Sequence, residues 1–248
     1  MKDHPAFTIV TVCKNAVDTI EKTIQSIADQ SYPHIEYLII DGQSSDGTLE
    51  LITKYDSHIS RVVSEKDDGI YDAMNKGVQN MHGDYVLFVN ADDYLFNETV
   101  ISRVANAIHR SPSADVFFGD VIIYHTDTGK ASLWNPGKRD TLSMYMGAFP
   151  HQATFYQKDA FEKNGMFDTS FQIAGDYDWA VRGFVRNKLV FQKINILVSV
   201  FARGGISTLD SFQITNRREK QRVVDTYFSK FDKFRYGFGK FLRKNNLL

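Results

Sequence analysis

Residues 86–96 read VLFVNADDYLF, an apolar run that ends in two adjacent carboxylates. A run of branched and aromatic side chains of this length predicts a strand that is buried on both faces of a sheet. Burial of an unpaired carboxylate is strongly unfavourable, so Asp92 and Asp93 need water, a cation or a hydrogen-bonding ligand. The stretch therefore predicts a sheet in which one strand end faces a ligand.

Three similar apolar runs precede this strand, at 7–12 (FTIVTV), 35–40 (IEYLII) and 59–63 (ISRVV), and segments with helical periodicity separate all four. The alternation predicts right-handed crossovers, and hence an α/β fold with a mainly parallel central sheet flanked by helices. In such a sheet, ligands bind beyond the carboxyl ends of the strands. Functional residues are therefore expected in the loops that follow the strands.

The pattern is looser after Asp93, where we expect a second half that faces the substrate. The predicted elements are a helix at 98–110, strands within 115–124 and 131–135, a long loop, a helix at 176–186, one or two strands within 189–202, and a helical tail after Thr215.

Composition limits the classes of protein to which the chain can belong. Its 248 residues, 43% of them hydrophobic, are enough for one large domain with a sizeable core. The 29 basic and 30 acidic residues nearly cancel, so no net field attracts nucleic acid. Neither GxGxxG nor GxxxxGK(S/T) occurs, which argues against a dinucleotide dehydrogenase and an ordinary P-loop enzyme.

Two further features concern the cellular compartment. The single cysteine, Cys13, lies in an apolar run and has no partner for an internal disulfide, which fits a reducing compartment. The segment MKDHPAFTIVTV lacks the pattern of a signal peptide, and no run reaches the roughly 18 apolar residues of a membrane span. We therefore expect a cytoplasmic protein, with any membrane contact peripheral and at the inner face of the plasma membrane.

The ends of the first two strands carry polar side chains that are placed for a nucleotide. The first strand ends in TVCKNA, with Thr11 and Asn15, and the second ends in DGQSSDGT, with Asp41 and Ser44. Asp41 could accept hydrogen bonds from a base or a ribose, whereas Asp46 is better placed to form a turn and cap the next helix.

In the absence of a phosphate-binding loop, a divalent cation is the expected counter-charge for phosphates. Oxygen ligands from one or two carboxylates suit Mg²⁺ or Mn²⁺, and Asp92 and Asp93 could supply them, although a turn or a helix cap is the alternative role for the pair. In the segment SEKDDGIYDAMNKG, Asp68, Asp72 and Lys76 lie before and within one helix. Asp72 and Lys76 are four residues apart, so Lys76 either joins a surface ion pair or offsets a diphosphate.

Seven motifs occur along the chain in a fixed order: TVCKNA, DGQSSDGT, KDDGIYDAMNKG, VNADD, HQATFY, GDYDWAVR and GGIST. The set resembles that of family 2 glycosyltransferases with the GT-A fold, the group that builds bacterial surface polysaccharides. It covers roughly residues 6–208, and several motifs in order are far more specific than any one of them.

The resemblance implies roles for the residues at the strand ends. In such enzymes Asp41 would contact the base, and the motif from Asn90 to Asp93 would meet the ribose and the metal-bound diphosphate. Asn90 stands in place of the first acid of the usual DxD motif, which leaves Asp92 as the better ligand for Mn²⁺ or Mg²⁺ and Asp93 as the second choice. Arg203, with the GGIST loop after it, would either close over the diphosphate or form an ordinary turn. The expected donor-binding residues are Thr11, Asn15, Asp41, Ser44, Asp68, Asp72, Lys76, Asn90, Asp92 and Arg203.

The resemblance also points to a catalytic base at the start of a later helix. A Glu-Asp pair opens this helix in similar enzymes, and Gly175 and Asp176 match that pair here, with Arg182 following. We predict that Asp176 removes the proton of the acceptor hydroxyl. Asp178 either caps the helix or contacts acceptor or phosphate, and His151 is either a structural hydrogen-bonding residue or a contact to donor phosphate or acceptor.

The C-terminal segment 216–248 carries ten Lys or Arg and three Asp or Glu, a net charge of +7 in a chain whose total is −1. Phe231, Phe234, Phe238 and Phe241 recur at helical spacing on one face. A basic amphipathic helix with aromatic residues is typical of a membrane-surface anchor. The alternative is a helix that docks on the core or on a partner subunit, while nucleic-acid binding lacks any recognisable reader module.

Together these features predict a GT-A domain over 1–215, with a nucleotide-sugar half at 1–95 and an acceptor half at 96–215, and a basic tail at 216–248. The expected activity is inverting, non-processive transfer of one sugar from a nucleotide-diphosphate sugar, a UDP-sugar by family analogy, to a hydroxyl of a glycan or lipid-linked glycan. Processive members carry a QxxRW motif and membrane helices, and this sequence shows neither. Two alternatives stay open: a non-catalytic nucleotide-sugar-binding scaffold of a polysaccharide-assembly complex, and a sugar-phosphate nucleotidyltransferase, which would need a glycine-rich basic loop near the N-terminus.

Overall fold

Four parallel strands form one half of the central sheet. They are β1 (Phe7–Cys13), β2 (Ile35–Asp41), β3 (Arg61–Ser64) and β4 (Tyr85–Phe88), in the spatial order β3-β2-β1-β4. The connections between them run through α1 (Ile20–Ala28), α2 (Thr48–Thr53) and α3 (Ile70–Asn80). The computed structural model describes residues 4–111, 113–147, 150–203 and 210–236.

The second half of the chain extends the same sheet beyond β4. Its elements are β5 (Tyr94–Leu95), α4 (Val100–Arg110), β6 (Val116–His125), β7 (Lys130–Trp134), α5 (Thr141–Met146), β8 (Thr154–Gln157), α6 (Lys158–Asn164), α7 (Gly175–Val185), β9 (Phe191–Arg203) and α8 (Asp210–Tyr227). The order continues from β4 as β8-β6-β9-β5, and β7 pairs with β6. Strand β8 is antiparallel to β4 and β6, whereas β6 and β9 are parallel. The predicted α/β class is confirmed. Of the nine strands that the structure describes, six run in the same direction and β5, β7 and β8 run opposite to them, so the sheet is mixed.

The long loop predicted before α7 is wrong, because that region contains α5, β8 and α6. Strand β8 is only four residues long and is buried between β4 and β6, so its conformation depends on pairing with strands that are distant in the sequence. The region predicted as one or two strands is the single strand β9.

Helices cover both faces of the sheet around β1 and β4, so the residues of these two strands are buried on both sides. On one face Ile9 and Leu87 pack in a core with α1 and α4, and on the other face Val10 and Phe88 pack in a core with α3 and α7. Helix α7 is fixed to the sheet through Trp179, whose ring meets that of Tyr156 edge-on at a centroid distance of 5.0 Å. This packing determines where the first turn of α7 lies relative to the end of β4.

The C-terminal segment does not begin at 216 as a separate unit, because α8 already starts at Asp210 and packs against α7. Val223 and Phe228 are buried in the same core as α7, so docking on the core is the correct alternative for this part of the tail. Residues 230–236 are again helical, and Phe231 and Phe234 are 70% and 77% exposed. The other two phenylalanines of the predicted aromatic face lie outside the described residues. Among the helices that the structure describes, none is long and apolar enough to cross a membrane.

Candidate active site

Strands β1, β2 and β4 end at one edge of the sheet, and the predicted polar motifs follow them there. Cys13 pairs with Asp41 and Val10 pairs with Phe88, so the three strands run in register to this edge. Because the strands are parallel, the loops that follow them lie side by side, as expected for a ligand site in an α/β fold.

The loops after β1 and β2 are joined by hydrogen bonds between predicted site residues. The Asn15 N–H donates to Ser44 Oγ at 2.8 Å, and Asn15 Oδ1 accepts the Ser45 N–H at 2.9 Å. Asn15 has a φ of +50°, a left-handed conformation that asparagine tolerates better than most residues. Asn15 and Ser44 therefore lie together at the edge of the sheet, where the sequence placed them.

Asp41 and Thr11 are buried and hydrogen-bonded to protein groups in this structure, so a contact of either with a nucleotide stays a prediction. Asp41 is fully buried; its Oδ2 accepts the Ser44 N–H at 3.0 Å and the Ser64 hydroxyl at 2.7 Å, and its Oδ1 accepts the Ser44 hydroxyl. Its carboxylate thus holds the loop together instead of presenting free oxygens to a base. Thr11 is buried within β1, and its hydroxyl lies 3.0 Å from that of Tyr37.

Asp92 and Asp93 occupy different environments although they are adjacent. Residues 90–93 form a turn in which the Asp93 N–H donates to the Asn90 carbonyl at 2.9 Å. Asp92 is half-buried, and burial raises the pKa of its carboxyl, an effect that its own backbone N–H and His151 oppose. Asp93 is fully buried, and its Oδ1 accepts the Ala202 N–H at 3.3 Å, which turns it towards β9. Burial, and then the charge of Asp92, raises the pKa of Asp93 well above its usual range. Asp93 is therefore buried in the core, where its Oδ2 has no hydrogen-bond partner among the described residues, and its role as a second metal ligand stays a prediction.

The residues at this turn fit a divalent cation that takes most of its ligands from phosphate and water. Asp92 supplies a carboxylate, and Asn90 Oδ1 is a buried oxygen with no hydrogen-bond partner among the described residues. Such oxygens suit Mg²⁺ or Mn²⁺, which protein sites often hold through one or two carboxylates plus substrate phosphates. Within the described ranges, no group of three His, Cys, Asp or Glu could hold a metal ion by itself.

His151 links the acidic turn to the predicted base. Its Nε2 lies 3.0 Å from Asn90 Nδ2, and its Nδ1 lies 3.3 Å from Asp176 Oδ2. An amide N–H of Asn90 makes Nε2 the acceptor, so the neutral ring carries its proton on Nδ1, facing Asp176. Both ring nitrogens are occupied, so His151 connects protein groups in this conformation and does not point freely at a phosphate or an acceptor.

Tyr71, which the sequence did not single out as a site residue, completes the surroundings of the base. Its hydroxyl lies 3.2 Å from Asp176 Oδ1 and 2.5 Å from the Ile173 carbonyl oxygen. Its ring packs on Gly175, where a Cβ would lie 2.7 Å from the ring carbons. This contact gives a local reason for glycine at the position where similar enzymes have an acid. The acid–histidine cluster consists of Tyr71, Asn90, Asp92, His151 and Asp176.

Asp178, two residues after the base, points away from the cluster. It is buried, its Oδ1 accepts the Tyr227 hydroxyl at 3.0 Å, and burial raises the pKa of its carboxyl. Tyr227 belongs to α8, so Asp178 joins α7 to α8 in this structure, and a contact of Asp178 to acceptor or phosphate stays a prediction.

Lys76 is engaged by neighbouring residues and does not reach into the site. Its ammonium lies 3.0 Å from Glu65 Oε1 and 3.2 Å from Asp72 Oδ2, and it donates to the Lys66 carbonyl at 2.8 Å. An ammonium has three donors, so all of them are used, and the ion-pair alternative is correct. Asp72 also accepts the Asp68 N–H at 3.2 Å, while Asp68 itself is exposed.

The side chain of Arg203 and the GGIST loop at 204–208 lie outside the described residues. Their contact with the diphosphate therefore stays a prediction.

A cavity of about 580 Å³ lies at the opposite end of the sheet, where β2 begins and α4 ends. It is lined by His4, Tyr32, Pro33, His34, Ser102, Ala105, Asn106 and His109, none of which belongs to the acid–histidine cluster.

The sequence profile of glycosyl transferase family 2 matches residues 8–176, from the first strand to the predicted base. The chain belongs to glycosyl transferase family 2. The PGL/p-HBAD biosynthesis glycosyltransferase of Mycobacterium bovis (strain BCG / Pasteur 1173P2) is 28% identical over 207 residues, which cover 82% of this chain and 79% of the relative. The putative teichuronic acid biosynthesis glycosyltransferase TuaG of Bacillus subtilis (strain 168) is 39% identical over 92 residues, 36% of each chain.

Solved structures support the fold of this glycosyltransferase. S. aureus TarS 1-349 in complex with UDP-GlcNAc has a TM-score of 0.70 at 19% identity, covering 92% of this chain and 75% of TarS 1-349. The mannosyltransferase PcManGT from Pyrobaculum calidifontis, in complex with GDP-Man and Mn²⁺, has a TM-score of 0.68 at 18% identity, covering 90% and 64%. At such identity the likeness concerns the fold alone, and it confirms the predicted GT-A fold.

Proposed function

We propose that this glycosyltransferase is inverting and non-processive, and that it moves one sugar from a UDP-sugar to a hydroxyl of a glycan or lipid-linked glycan in surface-polysaccharide synthesis. The observation that carries the proposal is the placement of Asp176. Its carboxylate is held by Tyr71 and His151, and His151 joins it to Asn90 in the turn that carries Asp92. In this proposal the base and the diphosphate site share one cluster.

The similar proteins support the donor and acceptor classes in this proposal. Two solved structures with the same fold contain nucleotide sugars, UDP-GlcNAc in TarS and GDP-Man in PcManGT. Two relatives are named for the synthesis of PGL/p-HBAD and of teichuronic acid. We take a UDP-sugar as the donor on the family resemblance, and GDP-sugars are the first competitors to test.

Asp176 acts as the general base in a single displacement. It removes the proton from the acceptor hydroxyl while the oxygen forms a bond to the anomeric carbon, and the bond from that carbon to the diphosphate oxygen breaks. Attack from the face opposite the leaving group inverts the anomeric configuration. Among the described residues, Oδ2 carries only the contact to His151, whereas Oδ1 accepts the Tyr177 N–H and lies 3.2 Å from the Tyr71 hydroxyl, so Oδ2 is the more available oxygen.

The leaving diphosphate needs a positive counter-charge, which a bound Mn²⁺ or Mg²⁺ supplies. Asp92 and Asn90 Oδ1 are the residues that would hold the ion, and Asp93 is the second choice because it is fully buried and its Oδ1 accepts the Ala202 N–H. The single accessible carboxylate favours a site that is completed by the nucleotide, so metal and nucleotide are expected to bind together.

We also propose that the end of the tail contacts the membrane, where a lipid-linked acceptor would be found. The helical residues 230–236 expose Phe231 and Phe234 next to exposed Lys230 and Arg235. Aromatic and basic side chains on one short helix match the interior and the anionic surface of a bilayer. A cytoplasmic location remains part of this proposal, and cell fractionation would test it.

The deciding experiment is turnover by the Asp176→Asn variant, measured as UDP or GDP release from a panel of UDP- and GDP-sugars with Mn²⁺. Asparagine preserves shape but does not accept the proton, so we expect turnover to fall at least about a hundredfold while nucleotide binding persists. Turnover near that of the wild type would exclude Asp176 as the base. Binding of a nucleotide sugar without turnover by the wild type, across a broad acceptor panel, would instead favour a non-catalytic scaffold.

A further inference from the structure

Glu219, in the middle of α8, reaches the segment that leads into α7. Its Oε1 accepts the backbone N–H of Gln172 at 2.7 Å, and its Oε2 accepts those of Ile173 and Ala174, each at 2.9 Å. The residue is only 9% exposed. One buried carboxylate thus holds three consecutive N–H groups immediately before the first residue of α7.

The N-cap residue of α7 has no side chain that could cap the helix, so the contact with Glu219 can take the place of a local cap. This N-cap residue is Ala174, and no side chain caps the helix locally. The amino end of a helix carries partial positive charge and N–H groups that need partners, so a carboxylate there is favourable. Glu219 provides that carboxylate from a helix that follows more than 40 residues later.

The same face of α8 holds the residues that precede this segment. Arg222 donates to Ser170 Oγ at 3.0 Å and to Asp168 Oδ2 at 3.3 Å, and its guanidinium lies 4.3 Å from the centre of the Phe171 ring. On the opposite side, the Tyr71 hydroxyl donates to the Ile173 carbonyl at 2.5 Å. The backbone before α7 is therefore held through its N–H groups by Glu219 and through a carbonyl by Tyr71.

We infer that Glu219 is a positioning residue for Asp176. Asp176 lies in the first turn of α7, two residues after the last N–H group that Glu219 holds, so a shift of this backbone moves the carboxylate directly. A displacement of about 1 Å at a reacting group can lower a rate about a hundredfold. The inference rests on the proposed function, in which Asp176 is the base, and it assigns to α8 a role in turnover beyond the stability that its packing provides.

The first test compares Glu219→Gln with Tyr227→Phe. Glutamine has the same size but replaces one accepting oxygen with an amide group that cannot accept an N–H. Tyr227→Phe removes the other α8-to-α7 hydrogen bond, the one to Asp178, and leaves Glu219 intact. We expect Glu219→Gln to lower kcat at least about tenfold with the donor KM within about twofold, whereas Tyr227→Phe keeps kcat within about twofold. Equal losses in the two variants at matched Tm would show that α8 acts through stability alone and would overturn the inference.

A double-mutant cycle separates this inference from the proposed function. If Glu219 acts through Asp176, adding Glu219→Gln to Asp176→Asn lowers kcat by no more than about twofold further. The same tenfold loss in both backgrounds would overturn the positioning role while leaving the base intact. Failure of Asp176→Asn alone to lower kcat would instead defeat the proposed function.

Amide hydrogen exchange on the free protein tests the contact without any substrate. Glu219→Gln should speed exchange at residues 172–178 at least about tenfold, and Tyr227→Phe should leave the amides of Ile173 and Ala174 unchanged. Unchanged exchange there in Glu219→Gln would overturn the inference. Should this variant fail to fold, Glu219→Asp keeps the charge but shortens the reach, and the same exchange pattern is expected from it.

Discussion

The Nδ1 atom of His151 lies 3.3 Å from Asp176 Oδ2, although His151 lies between α5 and β8 and Asp176 lies in α7. The other ring nitrogen lies 3.0 Å from the amide of Asn90, at the end of the strand that carries the acidic turn. One imidazole thus joins the side of the site that would bind the diphosphate to the side that would activate the acceptor.

From this relationship we predict that His151→Ala lowers kcat about tenfold to a hundredfold, because Asp176 loses the group that orients its Oδ2. Nucleotide release from the donor panel measures the effect. His109→Ala is a matched control, since His109 is exposed and lines the cavity at the opposite end of the sheet. Equal turnover in His151→Ala and the control would show that the bridge is not needed for catalysis.

The adjacent acids Asp92 and Asp93 should respond differently to the same change. We predict that Asp92→Asn abolishes the Mn²⁺-dependent increase in Tm that UDP produces, whereas Asp93→Asn retains it, because Asp92 is half-buried and Asp93 is fully buried with one oxygen on the Ala202 N–H. A ligand present at 100 times its Kd stabilises the folded state by about 2.7 kcal/mol, which a thermal-shift assay detects. The assignment of Asp92 is contradicted if both variants keep the UDP response, and that of Asp93 if both lose it.

The sequence was sufficient to predict the strands and helices whose conformation follows from their own residues. Strands β1, β2 and β4 are mostly apolar, and α7 and α4 carry apolar side chains at helical spacing, so each was predicted within a few residues. Strand β8 was missed because four residues carry little periodicity, and its place between β4 and β6 is set by tertiary pairing.

For the site, the sequence likewise predicted what depends on local residues and missed what depends on contacts between distant residues. The motifs located the correct edge of the sheet, but they did not show which side chains face a ligand. Asp41 and Asp93 are buried in the core, where Asp41 accepts the Ser64 hydroxyl and Asp93 accepts the Ala202 N–H, and both donors lie on other strands. The role of Glu219 depends on a contact between two helices, and nothing in its local sequence distinguishes it from the other charged residues of the tail.

Gly175 is predicted to resist substitution because of Tyr71. A Cβ at Gly175 would lie 2.7 Å from the ring, and Tyr71 is itself buried, so Gly175→Ala should lower the free energy of unfolding by about 1–3 kcal/mol. Urea denaturation measures the change. In a Tyr71→Ala background the ring is absent, so the same substitution should be nearly neutral. An equal loss in both backgrounds would mean that the collision with Tyr71 is not the cause.

Asp178 should make stability depend on pH. Its pKa is raised in the folded protein by burial, so in the interval between about 4 and that raised value the folded state binds more protons than the unfolded state. Stability contributed by this group therefore falls as the pH rises through the interval. Asp178→Asn removes the effect, so the stability of the wild type relative to this variant should decline with increasing pH. Urea denaturation of both proteins from pH 4.5 to 7.5 tests this, and a difference that is constant over the range would contradict it.

The exposed phenylalanines of the tail give the last prediction, which concerns the membrane. Burial of a phenylalanine side chain is favourable by about 1.5–3 kcal/mol, and each basic residue near an anionic bilayer adds about 1 kcal/mol. We therefore expect Phe231→Ser with Phe234→Ser to reduce binding to vesicles of phosphatidylglycerol and phosphatidylcholine at least about tenfold, measured by co-sedimentation. Leu133→Ser is the control, because Leu133 is 64% exposed on β7, remote in sequence from the tail.

Binding should also weaken with salt and in vesicles of phosphatidylcholine alone, since Lys230 and Arg235 contribute through charge. Loss of binding by the control to the same extent would show that the tail phenylalanines are not the membrane contact. Concentration-dependent dimerisation that the double variant abolishes in the absence of vesicles would assign this surface to a protein partner instead.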